Sequence, residues 1–252
     1  MKLITLNTWA GRLKEPLDTF LKNKMSDTDI FCFQEIFNDL DEETPTDPYV
    51  NHEEGNRHIL KEINEILVDF DMYFCPVVEN TYGIAIFLKK DYEVVGSGEV
   101  MLYENSTFDP NNENNDHTRK MQWVHIKHGR KDAMIMNVHG HWDPTGKSDN
   151  ANRIEQSKVL VDFIKNSGPV PKILVGDFNL LPDSQSIKMI EGHFTNLISK
   201  YKIPTTRTSL YTGDDKHADY VFVSDEVLVE GFEALPDVVS DHVPLALQFD
   251  VF

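Results

Sequence analysis

Apolar residues along this chain fall in short runs, and most runs end in a cluster of acids, amides or histidines. Branched and aromatic residues predict strands at 2–8, 29–34, 71–78, 83–88, 93–103, 119–127, 133–139, 171–176, 218–223, 227–233 and 243–250. Spacings of three and four predict helices at 57–68, through Ile59, Leu60, Ile63, Ile66 and Leu67, and at 149–166, through Ile154, Leu160, Val161 and Ile164. A third helix is expected after Pro182-Asp183-Ser184, where either polar residue can cap it. Strands dominate and helices punctuate them, so the expected class is α/β (α+β), sheets covered by helices rather than an all-β barrel.

Composition narrows this picture. A chain of 252 residues with 40% hydrophobic and 10% aromatic content can bury a substantial core. The polar run ends extend from Asn7 to His242 and have to meet, so one domain over 1–252 is expected. Cys32 and Cys75 sit in Phe31-Cys32-Phe33 and Phe74-Cys75-Pro76, surroundings that suit buried free thiols and a reducing compartment. No apolar stretch approaches the roughly 20 residues that span a bilayer. Met1 leads straight into an alternating run without a signal-peptide pattern, so a cytoplasmic protein without membrane insertion is expected. Nothing in the sequence fixes an oligomeric state.

The net charge of -18, from 42 acidic and 24 basic side chains, opposes long-range attraction of a polyanion. A bound cation neutralises its ligands locally, which keeps a nucleotide or a nucleic-acid end open as a partner. Two stretches, 38–56 and 104–118, read as long solvated loops. The first is acidic and follows Glu35, so it is expected to emerge beside any site built on that residue.

The run ends carry the candidate chemistry. Gly176-Asp177-Phe178-Asn179 follows the buried-strand pattern Ile173-Leu174-Val175, and the two-residue period points Asp177 and Asn179 the same way. The carboxylate can bind metal or take a proton from water, and the amide can donate to a phosphate oxygen; a plain Asp/Asn turn is the other reading. Ser240-Asp241-His242 precedes an apolar run, and Asp219 at the head of another can hold the His242 imidazole in one tautomer and keep it cationic. Asn137-Val138-His139-Gly140-His141 closes a third run. His139 is read as a proton donor to a leaving oxygen, and a His139–His141 zinc pair is the weaker option because the remaining candidate ligands are oxygens. Asn7 ends the first strand. Glu35 closes an apolar run, where a carboxylate requires a metal or a salt bridge. Arg119 reads equally as a phosphate contact or an ordinary surface arginine.

In this order, Leu6-Asn7, Gln34-Glu35, His139, Gly176-Asp177-Phe178-Asn179, Asp219-Tyr220 and Ser240-Asp241-His242 resemble the endonuclease/exonuclease/phosphatase superfamily, over nearly the whole chain. The resemblance implies a four-layer α/β sandwich, two mixed sheets face to face with helices outside. It implies magnesium, with manganese as a substitute, on Glu35 as main ligand, with Asn7 and Asp241 completing or supporting the shell. Asp177 would position or deprotonate the attacking water and Asn179 would brace it. His242, paired with Asp219, would contact the scissile phosphate or act as a base, and His139 would stabilise or protonate the leaving side. The orienting partner of His139 is left open between Glu79 and Tyr82. The expected function is metal-dependent phosphoester hydrolysis, first as a phosphodiesterase or nuclease on nucleic-acid ends or nucleotides. The alternatives are a phosphatase or sphingomyelinase-like enzyme on a small or lipid phosphoester and, remotely, a catalytically silent binding module.

Overall fold

A computed structural model of the chain describes residues 1–38, 55–106, 116–129 and 131–251. The first sheet contains β1 (Lys2–Asn7), β2 (Ile30–Phe37), β3 (Phe70–Val78), β4 (Tyr82–Lys89), β11 (Val227–Ala234) and β12 (Leu245–Val251), in the order β11-β12-β1-β2-β4-β3. The second contains β5 (Glu93–Tyr103), β6 (Arg119–His128), β7 (Lys131–His139), β8 (Lys172–Asp177), β9 (Thr195–Asn196) and β10 (Asp219–Val223), in the order β5-β6-β7-β8-β10-β9. Each sheet has one parallel pair, β1 with β2 and β7 with β8, among antiparallel neighbours. The sheets are mixed, as expected.

Alternation along the strands sorts side chains between layers. Leu3, Ile30, Cys32 and Ile86 of the first sheet share a buried cluster with Val124, Ile135 and Val175 of the second. The opposite faces carry helices. Ile4, Leu6, Phe31, Phe33 and Phe87 pack with Leu17, Phe20 and Leu21 of α1 (Lys14–Lys24) and Ile59, Leu60 and Ile63 of α2 (Ile59–Ile66). Leu160, Val161 and Ile164 of α3 (Ala151–Asn166), with Ile187 and Ile190 of α4 (Gln185–Glu191), cover the second sheet; α5 (Leu197–Lys200) is one turn. The result is the four-layer sandwich, and each fully buried Leu, Ile or Phe contributes roughly 1.5–3 kcal/mol of transfer free energy.

All eleven predicted strands are present, and Ser184 caps α4 by accepting from Ile187 N at 3.2 Å. Helix α1 is an element beyond those the apolar pattern predicts, although its Leu17, Phe20 and Leu21 are spaced as an amphipathic face. Both thiols are free and buried. No helix among the described residues is long and apolar enough to cross a membrane. The stretch 39–54 of the acidic loop and 107–115 of the asparagine-rich loop lie outside the described residues. Of the acidic loop's described ends, Asn38 follows the strand bearing Glu35, and Asn56 N donates to Ala10 O at 2.8 Å.

Topology brings the polar run ends together. The parallel strands contribute their C-terminal ends, so Asn7 lies opposite Gln34 and His139 opposite Asp177. The antiparallel neighbours contribute their beginnings: Asp219 pairs with Asp177, and Asp241-His242 leads into β12 beside β1. All of these ends open on the same edge of the sandwich.

Candidate active site

The β2–β4 register shifts between Phe33 and Ile36, a bulge in which Glu35 adopts φ 60. Left-handed backbone is unusual away from glycine and has to be held by its surroundings. Thr8 Oγ1 donates to Gln34 O and Glu35 O, both at 3.0 Å. Asn137 Nδ2 donates to Phe33 O at 3.0 Å and Ala85 O at 3.2 Å, satisfying carbonyls that the bulge removes from the ladder. Gln34 Nε2 in turn donates to Asn137 Oδ1 at 2.7 Å. Asn137 therefore ties the two sheets together under the bulge, and Glu35 is turned into the cleft.

Asn7 joins the two acids that face this point. Its Nδ2 donates to Glu35 Oε1 at 2.9 Å and Asp177 Oδ2 at 3.0 Å, while its Oδ1 accepts from Trp9 N at 3.0 Å. The amide supports the carboxylates and turns its oxygen away from them. Burial beside Asp241 and Asp177 raises the Glu35 carboxyl above its ordinary 4.5, despite the Asn7 hydrogen bond and His242. Asp177 behaves oppositely: burial pushes it up, but the charges of His242, Lys147 and Arg207 hold it well below the carboxylate range. Gly176 preceding it has φ 129, and a Cβ there would lie 2.0 Å from Val138 O, so only glycine permits the close approach of β8 to β7.

His242 Nδ1 donates to Asp219 Oδ1 at 2.8 Å, which fixes Nε2 toward the cleft, 3.6 Å from Asp177 Oδ2 and 3.7 Å from Asp241 Oδ1. Arg207 Nη1 reaches Nε2 and also donates to Asp241 Oδ2 at 3.0 Å. Burial pushes the imidazole down, but Asp219 and Asp241 outweigh burial and the guanidinium, and the ring is held above its ordinary 6.5. Asp177, Asp219 and His242 place ligand atoms within 4.8 Å of one another, a spacing that can hold a cation. The direct bond from Nδ1 to Asp219 already accounts for that pair, which leaves the Glu35 side as the more open carboxylate position.

His139 lies across the cleft, its Nε2 3.9 Å from Glu35 Oε1. Burial, then the Arg119 guanidinium, holds it well below 6.5, so the ring is neutral. Neither candidate for its orienting partner takes that place. Glu79 is exposed and Tyr82 packs on His117; His117 is the ring beside His139, with centroids 6.2 Å apart. His141 does not join it in a zinc site: its Nδ1 is bound to Asp116 Oδ2 at 2.7 Å, and among the described residues neither histidine falls in a cluster of three side chains spaced to hold a metal.

Arg119 lines the cleft, with its Nε bound to Asp116 Oδ1 at 3.0 Å. Asn179, at φ 54, braces Asp177 by donating its backbone N–H to Oδ1 at 2.8 Å. Its side chain is differently engaged from the phosphate donor expected: Nδ2 turns to Gly140 O at 3.3 Å and Oδ1 accepts from Lys147 Nζ at 2.7 Å.

Glu35, Arg119, His139, Asp177, Asn179, Arg207, Asp241 and His242 line a cleft of about 690 Å³ that also includes Trp9, Arg12, Trp142, Tyr211 and the acids Asp143, Asp214 and Asp215. Sequence reading missed Lys147, Arg207, Asp116 and His117. The last two were legible as a polar cluster at the head of β6; Lys147 and Arg207 stand in loops with no run end to mark them.

No curated protein sequence matches the chain significantly. Solved structures superpose on nearly all of it. A mannosyl-6-phosphatase of Bacteroides thetaiotaomicron is 20% identical with a TM-score of 0.75 and 99% of each chain covered. The human Nocturnin catalytic domain with bound sulfate anion is 18% identical with a TM-score of 0.68, over 100% of this chain and 93% of that one. Humanized D. rerio TDP2 is 14% identical with a TM-score of 0.71, over 100% and 99%. These likenesses establish a shared fold. The sequence profile of the Endonuclease/Exonuclease/phosphatase family matches residues 4–242, and the chain belongs to that family.

Proposed function

We propose that this chain hydrolyses a small or chain-end phosphoester with the help of a divalent cation held at Glu35. Family members are hydrolases of phosphoester bonds, and they include phosphatases, nucleases and phosphodiesterases. The observation that carries the finer reading is the Asn7 bridge, which gathers Glu35 and Asp177 from strands 142 positions apart in sequence, 177 − 35, into one cleft.

The donor chemistry suits magnesium or manganese. Glu35 and Asp241 offer hard oxygens, the Glu35 carboxyl carries a burial penalty that a cation relieves, and neither cysteine of the chain lines the cleft. Glu35 would be the principal ligand, with Asp241 beside it and Asn7 orienting the carboxylate. When bound, the cation supplies Lewis-acid polarisation of a phosphoryl oxygen. Asp177, ionised and braced by Asn179 N–H, accepts a hydrogen bond from the attacking water and aims it. Arg207 donates to a phosphoryl oxygen beside His242, whose ring Asp219 holds in place. His139 is neutral, so its contribution is a hydrogen bond to the leaving oxygen rather than proton delivery from an imidazolium.

The rim bears on substrate size. Asp143, Asp214 and Asp215 border the cleft of a chain with net charge -18, which opposes entry of a polynucleotide. That favours the small-phosphoester alternative and, among nucleic-acid substrates, ends and nucleotides. The test is an assay of EDTA-dialysed protein, with and without Mg2+ or Mn2+, on p-nitrophenyl phosphate, bis-p-nitrophenyl phosphate, a dinucleotide and plasmid DNA. Cation-dependent turnover of the small esters is expected. Silence on every substrate in both metals would sink the hydrolase reading and leave the binding module.

A further inference from the structure

Lys147 is a buried lysine, 8% exposed, at the wall of the cleft. Among the described residues its ammonium has a single hydrogen-bond partner, the neutral amide oxygen Asn179 Oδ1, and no carboxylate in ion-pair contact. A buried cation with only a neutral partner is costly unless an anion arrives. Two other cleft cations are directly compensated: Arg119 by Asp116, and Arg207 by Asp241.

The loop that presents Lys147 is pinned in place. Arg153 of α3, itself 1% exposed, donates to Gly146 O at 2.8 Å and Ser148 O at 2.5 Å, the carbonyls on either side of Lys147. Its Nε also donates to His141 O at 3.1 Å, and Leu181 N donates to Lys147 O at 3.0 Å. An arginine buried to hold main-chain carbonyls costs desolvation and gives preorganisation. The lysine is thus delivered to a fixed point beside Asn179, two residues from Asp177.

Resting on the phosphoester reading above, we propose that Lys147 binds a non-bridging phosphoryl oxygen and makes a terminal phosphomonoester the preferred substrate over a phosphodiester. Three separate donor stations surround Asp177. One is the cation position at Glu35, the second is His242 with Arg207, and the third is Lys147 on the Asn179 side. A phosphomonoester has three non-bridging oxygens to give them, with the leaving oxygen toward His139. A diester has two, so its second ester oxygen, a poor acceptor with a bulky substituent, would face the buried ammonium. Burial lowers the proton affinity of Lys147 against the pull of Asp177 and Asp219, the direction expected of an ammonium awaiting a dianion.

The test compares p-nitrophenyl phosphate with bis-p-nitrophenyl phosphate, which share a leaving group, using the full chain in Mg2+. The unmodified protein should have the higher kcat/KM on the monoester. Lys147→Met should lower the monoester kcat/KM by about 10- to 100-fold, the worth of one charge-assisted hydrogen bond, and the diester by less, so that the ratio falls. In case that variant folds poorly, calorimetry on the unmodified chain gives a second reading: inorganic phosphate should bind more tightly than dimethyl phosphate. Equal losses on the two esters, or no preference between the two anions, would overturn the inference. Preferential hydrolysis of the diester overturns it alone, whereas absence of cation-dependent hydrolysis of either ester overturns the phosphoester reading with it.

Discussion

Two buried polar regions lie next to each other at the top of this sandwich, and they are built on opposite principles. The Gln34–Asn137 bridge is made of neutral amides, and Asn137 spends both ends of its side chain on partners: one bond accepted from Gln34 and two donated to bulge carbonyls. Beside it at the strand ends, Glu35, Asp177, Asp219 and Asp241 converge with His242 and Arg207, and their charges are balanced only in part. A satisfied neutral network stabilises a fold. A cluster of like charges in a cleft destabilises it until a cation or an anionic ligand completes the set. The difference separates polar residues that serve the scaffold from those that serve the chemistry.

Breaking each side should therefore have opposite signatures. Glu35→Gln should lower kcat by about a thousandfold, roughly 4 kcal/mol of transition-state stabilisation, because it removes the main cation ligand. The metal-free variant should nonetheless melt above the unmodified protein at neutral pH. The sign follows from the raised Glu35 carboxyl. Its folded form binds a proton more readily than the unfolded chain, so the unmodified protein gains stability as pH falls from neutral toward the ordinary 4.5. The difference between the two melting temperatures should shrink over that window.

Asn137→Ala should do the reverse and cost stability. It leaves the Phe33 and Ala85 carbonyls without their donor, and a loss of about 3 kcal/mol in urea unfolding is expected. A variant as stable as the unmodified chain would show that the bulge needs no bridge.

A finer test concerns the imidazole. His242 is held above 6.5, so its cationic form and the stability it brings are complete below that value and lost as pH rises through the folded-state value. Asp219→Asn removes the carboxylate that raises it. The alkaline limb of kcat/KM should move to lower pH, with a loss of about tenfold at neutral pH. An unmoved limb would assign it to another group.

Much of this arrangement was legible in the sequence. Glu35, Asp177 and His242 stand at ends of apolar runs, and run ends meet because parallel strands finish where antiparallel ones begin. The same signal could not separate Asn137 from His139: both end β7 on one face, and only the bulge across the sheet interface shows that the amide is structural. Lys147 and Arg207 left no trace, since their positions depend on loops held by Arg153 and by the Arg207–His242 bridge. Helix α1 was missed because charged residues dilute a narrow apolar stripe of Leu17, Phe20 and Leu21.

The interdependence of charge and cation can be measured directly by thermal melting of EDTA-dialysed protein during a Mg2+ titration, in the unmodified chain and in Glu35→Gln. The unmodified melting temperature should climb with Mg2+, by an amount equivalent to about 2.7 kcal/mol when the ion reaches a hundred times its dissociation constant. The variant should start higher and stay flat. Parallel climbs in both proteins, or no climb in the unmodified one, would contradict a cation held at Glu35.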